Sequence, residues 1–252
     1  MRPIFKGNTP QLNGVDKIVT DYKDWRSDLI ERIGNYCCYC NMILNDSPQV
    51  EHVVPKNPQT DQPAGDLLAW ENMLLACGPC NREKGNKPHT SETHYMPDKN
   101  NTHLVFEYFV VSILTNREQK AGLVRAFSTL GFDQLNKANN TISLLGLNTI
   151  KVNPRATDLR WKYRAEAWFS ANEVWRTAWN NGLISVSDFT PLLLDAAKSK
   201  GFFSIWFKAF DDVPQIKIAL INGFKGTDSN SFENIEPFNP KNRNPENVVD
   251  TI

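Results

Sequence analysis

Residues 37–40 read Cys-Cys-Tyr-Cys, residues 51–52 read Glu-His, and residues 77–84 read Cys-Gly-Pro-Cys-Asn-Arg-Glu-Lys. Each CxxC turn can place two sulfurs on one zinc ion, and two such turns complete a closed tetrahedral site. The ligands predicted for this structural zinc are Cys37, Cys40, Cys77 and Cys80. Binding could supply on the order of 10 kcal/mol of folding free energy to a small unit. The alternative is four unligated buried thiols.

The cysteine count favours a metal site over a disulfide framework. The chain has five cysteines, an odd number, and its first ten residues lack the apolar run of a secretory signal. We expect Cys38, the fifth, to be a small buried apolar residue. Residues 104–114 are too short to span a bilayer and include Glu107. We therefore expect a soluble, cytoplasmic protein with no membrane partner.

The composition is that of a folded globule without a global positive field. Of 252 residues, 11% are aromatic, and 28 basic residues balance 28 acidic ones. Recognition of nucleic acid would therefore need a local patch or a partner.

The pattern predicts an α+β fold that is mainly α. Apolar spacing predicts a helix over 15–33. A ββα unit is predicted to follow it, made of a strand (49–55), a loop (57–65), a returning segment (67–76) and a helix that opens at 81–87. Beyond position 90 we predict a strand over 104–114 and helices over 118–130, 138–147, 156–180, 187–200 and 204–222. The predicted division is an N-terminal arm and helix (1–36), a metal-binding core (37–90), a mainly helical region (91–225) and a polar tail, extended or disordered (226–252).

Glu51-His52 lies between the two halves of the cysteine site and suggests hydrolytic chemistry. A neutral His52 could take a proton from water that attacks phosphorus, and Glu51 could help to hold Mg²⁺. General-base assistance supplies only about 3–5 kcal/mol, less than the roughly 8–23 kcal/mol that enzymes provide, so a catalytic metal is also needed. A zinc with four sulfurs cannot serve, and Asn81 is the candidate to complete a second metal site. Asn72 would brace the loop that carries His52, or it is a simple turn residue.

Two further groups have both a functional and a plain structural interpretation. The basic residues flanking the motif could contact phosphates, or they form a solvated face; they are Lys56, Arg82, Lys84 and Lys87. A near-heptad stripe of tryptophans is most simply a helix face docked on the core, the alternative being a partner-binding surface; it comprises Trp161, Trp168, Trp175 and Trp179.

Read in order, these elements resemble the HNH endonucleases with a zinc-stapled ββα-metal fold. The match covers about 33–88, through the two CxxC pairs, Glu51-His52, Asn72 and Cys80-Asn81-x-x-Lys84-Gly85. The resemblance implies that Glu51 and Asn81 bind Mg²⁺ or Mn²⁺, that His52 is the general base and that Asn72 orients it. Glu51 stands where Asp is frequent, and Asn81 stands where the family name has His, which leaves the preferred divalent ion open.

The chain also resembles one bacterial subgroup in its opening residues, in its 138–148 stretch and in its length. This subgroup includes the HNH effector subunits of Septu-type and retron-associated anti-phage systems, which work with an ABC-type ATPase. That resemblance implies that the helical half, from about 104 onward, docks on the ATPase.

The sequence thus predicts a metal-dependent endonuclease that hydrolyses phosphodiester bonds of nucleic acid, with DNA favoured over RNA such as transfer RNA, in anti-phage defence. One alternative is a non-catalytic zinc-stabilised binding or scaffold subunit. Another is a nuclease subunit that stays silent until a partner triggers it.

Overall fold

The predicted ββα unit is confirmed. The computed structural model describes residues 1–113, 119–152, 157–182, 184–247 and 250–252. Strands β3 (Gln49–His52) and β4 (Met73–Ala76) pair antiparallel, with Glu51 opposite Leu74 and His52 opposite Met73. Helix α2 (Gly78–Lys84) follows directly, with Cys77 as its N-cap. Because β4 is buried along its whole length, this unit is anchored in the protein interior.

The N-terminal helix is shorter than the sequence predicts. Val15–Asp16 is strand β2, which pairs with β1 (Gln11–Leu12). The Asp21 side chain accepts a hydrogen bond from the Lys23 backbone N–H and so starts a 3-10 turn, Tyr22–Trp25. Helix α1 (Arg26–Ile33) continues from that turn and ends at Gly34, as predicted.

A long hairpin follows the ββα unit and corrects one predicted helix. The strand predicted at 104–114 is present as β5 (Phe106–Ile113). The helix predicted at 118–130 is wrong, because Gln119–Ala126 forms β6 and pairs with β5 along its whole length. A Cβ on Gly122 would come within 2.6 Å of the Ala165 backbone nitrogen, so glycine lets a helix lie directly on this strand. Residue 114, the end of the predicted strand, and residue 118, the start of the predicted helix, lie outside the described residues.

Between β6 and Gly223, the regular elements among the described residues are helices. The helices are α3 (Phe132–Leu144), α4 (Arg160–Phe169), α5 (Arg176–Asn180), α6 (Val186–Lys200), α7 (Phe203–Ala209) and α8 (Pro214–Gly223). A π-helical turn, Ser170–Trp175, joins α4 to α5. The helix predicted over 156–180 is therefore present from residue 160. Residue 156, where the prediction begins, lies outside the described residues. The helix predicted over 204–222 is two helices, since Pro214 starts a new one.

Two buried hydrophobic clusters organise the molecule. The first joins α1, the five cysteines, β4, the hairpin and α3, and the second joins the helices from α4 to α8. The described residues of the segment 226–252 have little regular structure, yet Ser231, Phe232 and Ile252 are buried. The division of the chain into four regions stays a prediction. Within the described residues, no helix combines the length and apolarity needed to cross a bilayer.

Candidate active site and zinc centre

The four predicted zinc ligands come together at one point. Their sulfur atoms all lie within 4.8 Å of one another, and all four residues are buried: Cys37, Cys40, Cys77 and Cys80. The Cys40 and Cys77 sulfurs are 3.7 Å apart. Four sulfurs at about 2.3 Å from a zinc ion would be separated by about 3.8 Å, so the arrangement fits tetrahedral zinc. Among the described residues, this is the one group of three or more Cys, His, Asp or Glu side chains that could hold a metal.

Cys38 is buried but separate from this group. Its backbone N–H donates to the Leu75 carbonyl at 2.9 Å, which ties the first cysteine turn to β4. Burial raises the pKa of its thiol to about 12, so it stays protonated and unreactive near neutrality.

His52 ends β3 and carries a neutral imidazole. Burial lowers its pKa below the ordinary value, and the nearby Lys56 and Lys84 charges act in the same direction. Its Nε2 lies 3.0 Å from the Leu67 carbonyl oxygen, and the Tyr22 ring packs on the imidazole with centroids 4.6 Å apart. Because a carbonyl can only accept, Nε2 carries the hydrogen and Nδ1 keeps the lone pair that a general base requires.

Glu51 is enclosed by polar partners. The Lys84 ammonium lies 2.6 Å from one carboxylate oxygen, and the Tyr39 hydroxyl donates to the other. Glu51 is only 4% exposed. Burial raises the pKa of its carboxyl group, whereas Lys84 and Tyr39 act to lower it. A divalent ion could reach this carboxylate only if Lys84 moved away, because the ammonium already supplies the positive charge there.

Asn81 lies near the other end of β3. It is half-buried on α2, and its side-chain nitrogen donates to Oε1 of Gln49 at 2.9 Å. Asn81 and Glu51 therefore have different hydrogen-bond partners. Neither residue has a described contact with the His52 ring. Oxygen donors of the right kind for Mg²⁺ are present, but the Glu51 carboxylate is paired with the Lys84 ammonium, so ion binding would require this pair to open.

Asn72 ties together the two ends of the loop that follows His52. Its Oδ1 accepts from the Val54 N–H at 2.7 Å, and its Nδ2 donates to the Val54 and Asp66 carbonyls at 3.1 and 2.9 Å. Gly65 lies against this tie, since an added Cβ would come within 2.5 Å of the Asn72 Nδ2. The described side-chain hydrogen bonds of Asn72 therefore go to the loop and not to the imidazole.

The basic residues divide into two kinds. Lys56, Arg82 and Lys87 are exposed. The expectation that Lys84 contacts phosphate is wrong for this structure: Lys84 is completely buried and donates to the His52 carbonyl at 2.8 Å as well as pairing with Glu51. Lys84 follows Asn81 by three residues on α2, and this helical spacing directs both side chains toward β3.

Sequence reasoning named Lys56 as a phosphate contact but missed Tyr22, Lys23 and Tyr39. Lys23 and Lys56 have their ammonium groups 5.8 and 5.3 Å from the centre of the Tyr22 ring, and so lie beside the residue that packs on His52. The positions of Lys23 and Lys56 beside Tyr22 follow from the fold. The polar partners of Glu51, by contrast, had a local signal in the sequence. Tyr39 lies inside the first cysteine turn, and Lys84 lies four residues after the second.

Comparison with known proteins agrees with the cysteine and Glu-His pattern. The family model described as HNH endonuclease matches residues 36–87. A CRISPR-associated endonuclease Cas9 of Corynebacterium diphtheriae is 32% identical over 65 residues, which is 25% of this chain and 6% of that protein. No solved structure matches the chain significantly. The predicted HNH endonuclease domain is therefore confirmed at residues 36–87.

Proposed function

We propose that this protein is an endonuclease that hydrolyses phosphodiester bonds of nucleic acid with His52 as general base. The observation that carries the proposal is a neutral His52 inside an HNH domain, with Nε2 on the Leu67 carbonyl and Nδ1 left to accept a proton. Water loses that proton to Nδ1 as its oxygen attacks phosphorus. The 3′ oxygen departs, and the products carry 5′-phosphate ends.

The zinc and the catalytic metal have different roles in this proposal. Zinc, saturated by four thiolates, holds β4 and α2 in place and does not contact substrate. Mg²⁺ or Mn²⁺, when bound, would neutralise charge on the phosphate and the leaving oxygen. Glu51 and Asn81 are the residues that we propose would hold it, after Lys84 has released the carboxylate.

The substrate surface that we propose lies beside His52 on the side of Tyr22. Lys56 and Lys23 are exposed there, and the other predicted phosphate contacts are Arg82 and Lys87. Since the chain has no net charge, these local cations would have to supply the attraction to phosphate. DNA is favoured because of the HNH resemblance, with RNA such as transfer RNA as the alternative substrate.

The enclosed Glu51 favours a second candidate, a nuclease subunit that is silent until a partner acts. In anti-phage defence, this partner would be an ABC-type ATPase in the cytoplasm, docked on the helical half. Its action would be to break the Lys84–Glu51 pair and open the carboxylate. A non-catalytic zinc-stabilised scaffold remains the third interpretation, in which this pair never opens.

A cleavage panel separates these candidates. The full chain would be incubated with plasmid, linear DNA and total RNA, with Mg²⁺, Mn²⁺ or EDTA, and with or without the candidate ATPase. Cleavage by the chain alone that EDTA abolishes supports the first candidate, and cleavage that requires the ATPase supports the second. No cleavage under any of these conditions would leave the scaffold interpretation.

A further inference from the structure

Arg160 is a buried arginine that reaches the zinc centre from the helical region. It is the first residue of α4 and lies 80 positions after Cys80, outside the HNH domain. Its Nη1 is 3.1 Å from the Cys80 sulfur, and its exposure is 1%. Since water is excluded at this position, the guanidinium must find its hydrogen-bond partners within the protein.

The five N–H groups of Arg160 all have partners. Nε and Nη2 bind the two carboxylate oxygens of Asp158 at 2.9 and 2.8 Å. Nη1 and Nη2 also donate to the Leu145 and Gly146 carbonyls, both at 2.8 Å. The remaining donor is directed at the Cys80 sulfur. Five satisfied donors fix the planar group, so its position against that sulfur is set by the fold.

We propose that Arg160 is a positioning residue of the zinc centre. Its guanidinium donates a hydrogen bond to the Cys80 sulfur and so fixes the orientation of this predicted zinc ligand. A zinc ion with four thiolates carries a net charge of about −2 in a buried place, where a cationic donor is most effective. The metal centre thereby includes a residue of the helical region, and the two parts of the chain are joined through it.

Arg164 provides a matched control. It lies one turn further along α4, is 1% exposed and donates to the Gly122 and Leu147 carbonyls at 2.8 and 2.9 Å. Its described hydrogen bonds include no sulfur. Arg164→Met therefore removes a buried guanidinium that holds two carbonyls, as Arg160→Met does, but leaves the bond to Cys80 in place.

The test uses the full chain loaded with zinc, and separately with cobalt(II), and requires no nuclease activity. Transfer of zinc to an excess of a chelating dye should be about 10–100-fold faster in Arg160→Met than in the parent, the range typical for loss of such a partner. The sulfur-to-cobalt charge-transfer band should move to longer wavelength in the same variant. Arg164→Met removes a buried charge that also interacts with Cys40 and Cys80 but removes no hydrogen bond to sulfur, so it should shift the band less than Arg160→Met does.

Two results would overturn the proposal: a charge-transfer band in Arg160→Met identical to that of the parent, or an equal shift in Arg164→Met. If Arg160→Met does not fold, Arg160→Lys keeps the charge but loses the planar fork, and the same two measurements apply to it. A parent-like band and zinc release rate in Arg160→Lys would then show that the fork on Cys80 has no role in the metal centre.

Discussion

Lys84 and Glu51 form a buried ion pair beneath the proposed active site. Both side chains are almost fully enclosed, with exposures of 0% and 4%. Pairing of this kind adds little stability compared with apolar residues, but loss of one partner strands the other charge in the interior. The pair therefore makes both the fold and the proposed metal site dependent on Lys84.

Lys84→Met should lower the free energy of unfolding by about 3–5 kcal/mol, because Glu51 is left buried without its cation. The double variant Lys84→Met/Glu51→Leu should recover most of that loss. Urea denaturation of the parent, the single variant and the double variant measures both values. A single variant as stable as the parent would mean that Glu51 reaches solvent in solution.

The pH dependence of cleavage should report His52. Its pKa is lowered in the folded protein, so the imidazole is neutral at pH 7 and the base is fully available. The rate should be level near neutrality and should fall only as the pH drops below about 6.5, through the lowered value. Lys56→Gln removes a charge that disfavours protonation of His52, and so should move this acid limb to higher pH. An acid limb that stays at the same pH in Lys56→Gln as in the parent would argue against His52 as the base.

At the scale of elements, the cluster of four cysteines links the first cysteine turn with the turn between β4 and α2. The spacing of the cysteines was enough to predict this cluster, and the strand, loop and helix patterns over 49–87 were enough to predict the ββα unit, because both depend on local motifs. The partners of the individual side chains were not predictable in the same way. Glu51 and His52 are neighbours in sequence, yet strand alternation directs them to opposite faces, Glu51 toward Lys84 and His52 toward Tyr22.

Cys80→Ser and Cys38→Ser should have opposite consequences for the metal. Cys80→Ser removes a zinc ligand, so purified protein should lose its zinc and the 77–84 helix should lose protection from hydrogen exchange. Cys38→Ser changes a buried thiol outside the cluster and should keep one zinc per chain. Metal analysis together with hydrogen exchange measures both, and equal zinc loss in the two variants would contradict the assigned ligand set.

At the scale of the molecule, the final segment holds distant parts of the chain together. Arg243 donates to the Pro97 and Ile4 carbonyls, both at 3.1 Å. Asn101 donates to the Ser231 and Lys241 carbonyls at 2.7 and 2.9 Å. Composition indicated an extended or disordered tail; its lack of regular structure was predictable, but these long-range bonds carry no local sequence signal. The hairpin strand at 119–126 was missed for the same reason, since its pairing with β5 decides its conformation.

Asn101→Ala should lower the free energy of unfolding by about 1–3 kcal/mol, since two carbonyls lose their donor in a buried place. The control is Asn230→Ala in the same tail, where the residue is exposed and its described hydrogen bond uses only the backbone. Chemical denaturation of both variants gives the comparison. Equal stability in the two would show that the tail does not pack against residue 101 in solution.

The most direct test of the nuclease account is the single-turnover cleavage rate of His52→Ala beside that of the parent, under the conditions in which the parent cleaves and with zinc content measured in both. We expect one zinc per chain and a cooperative melting transition in each protein, with the rate of His52→Ala lower by about 10²–10⁴-fold, the contribution of a general base. A folded, zinc-loaded His52→Ala protein that cleaves as fast as the parent would contradict the account.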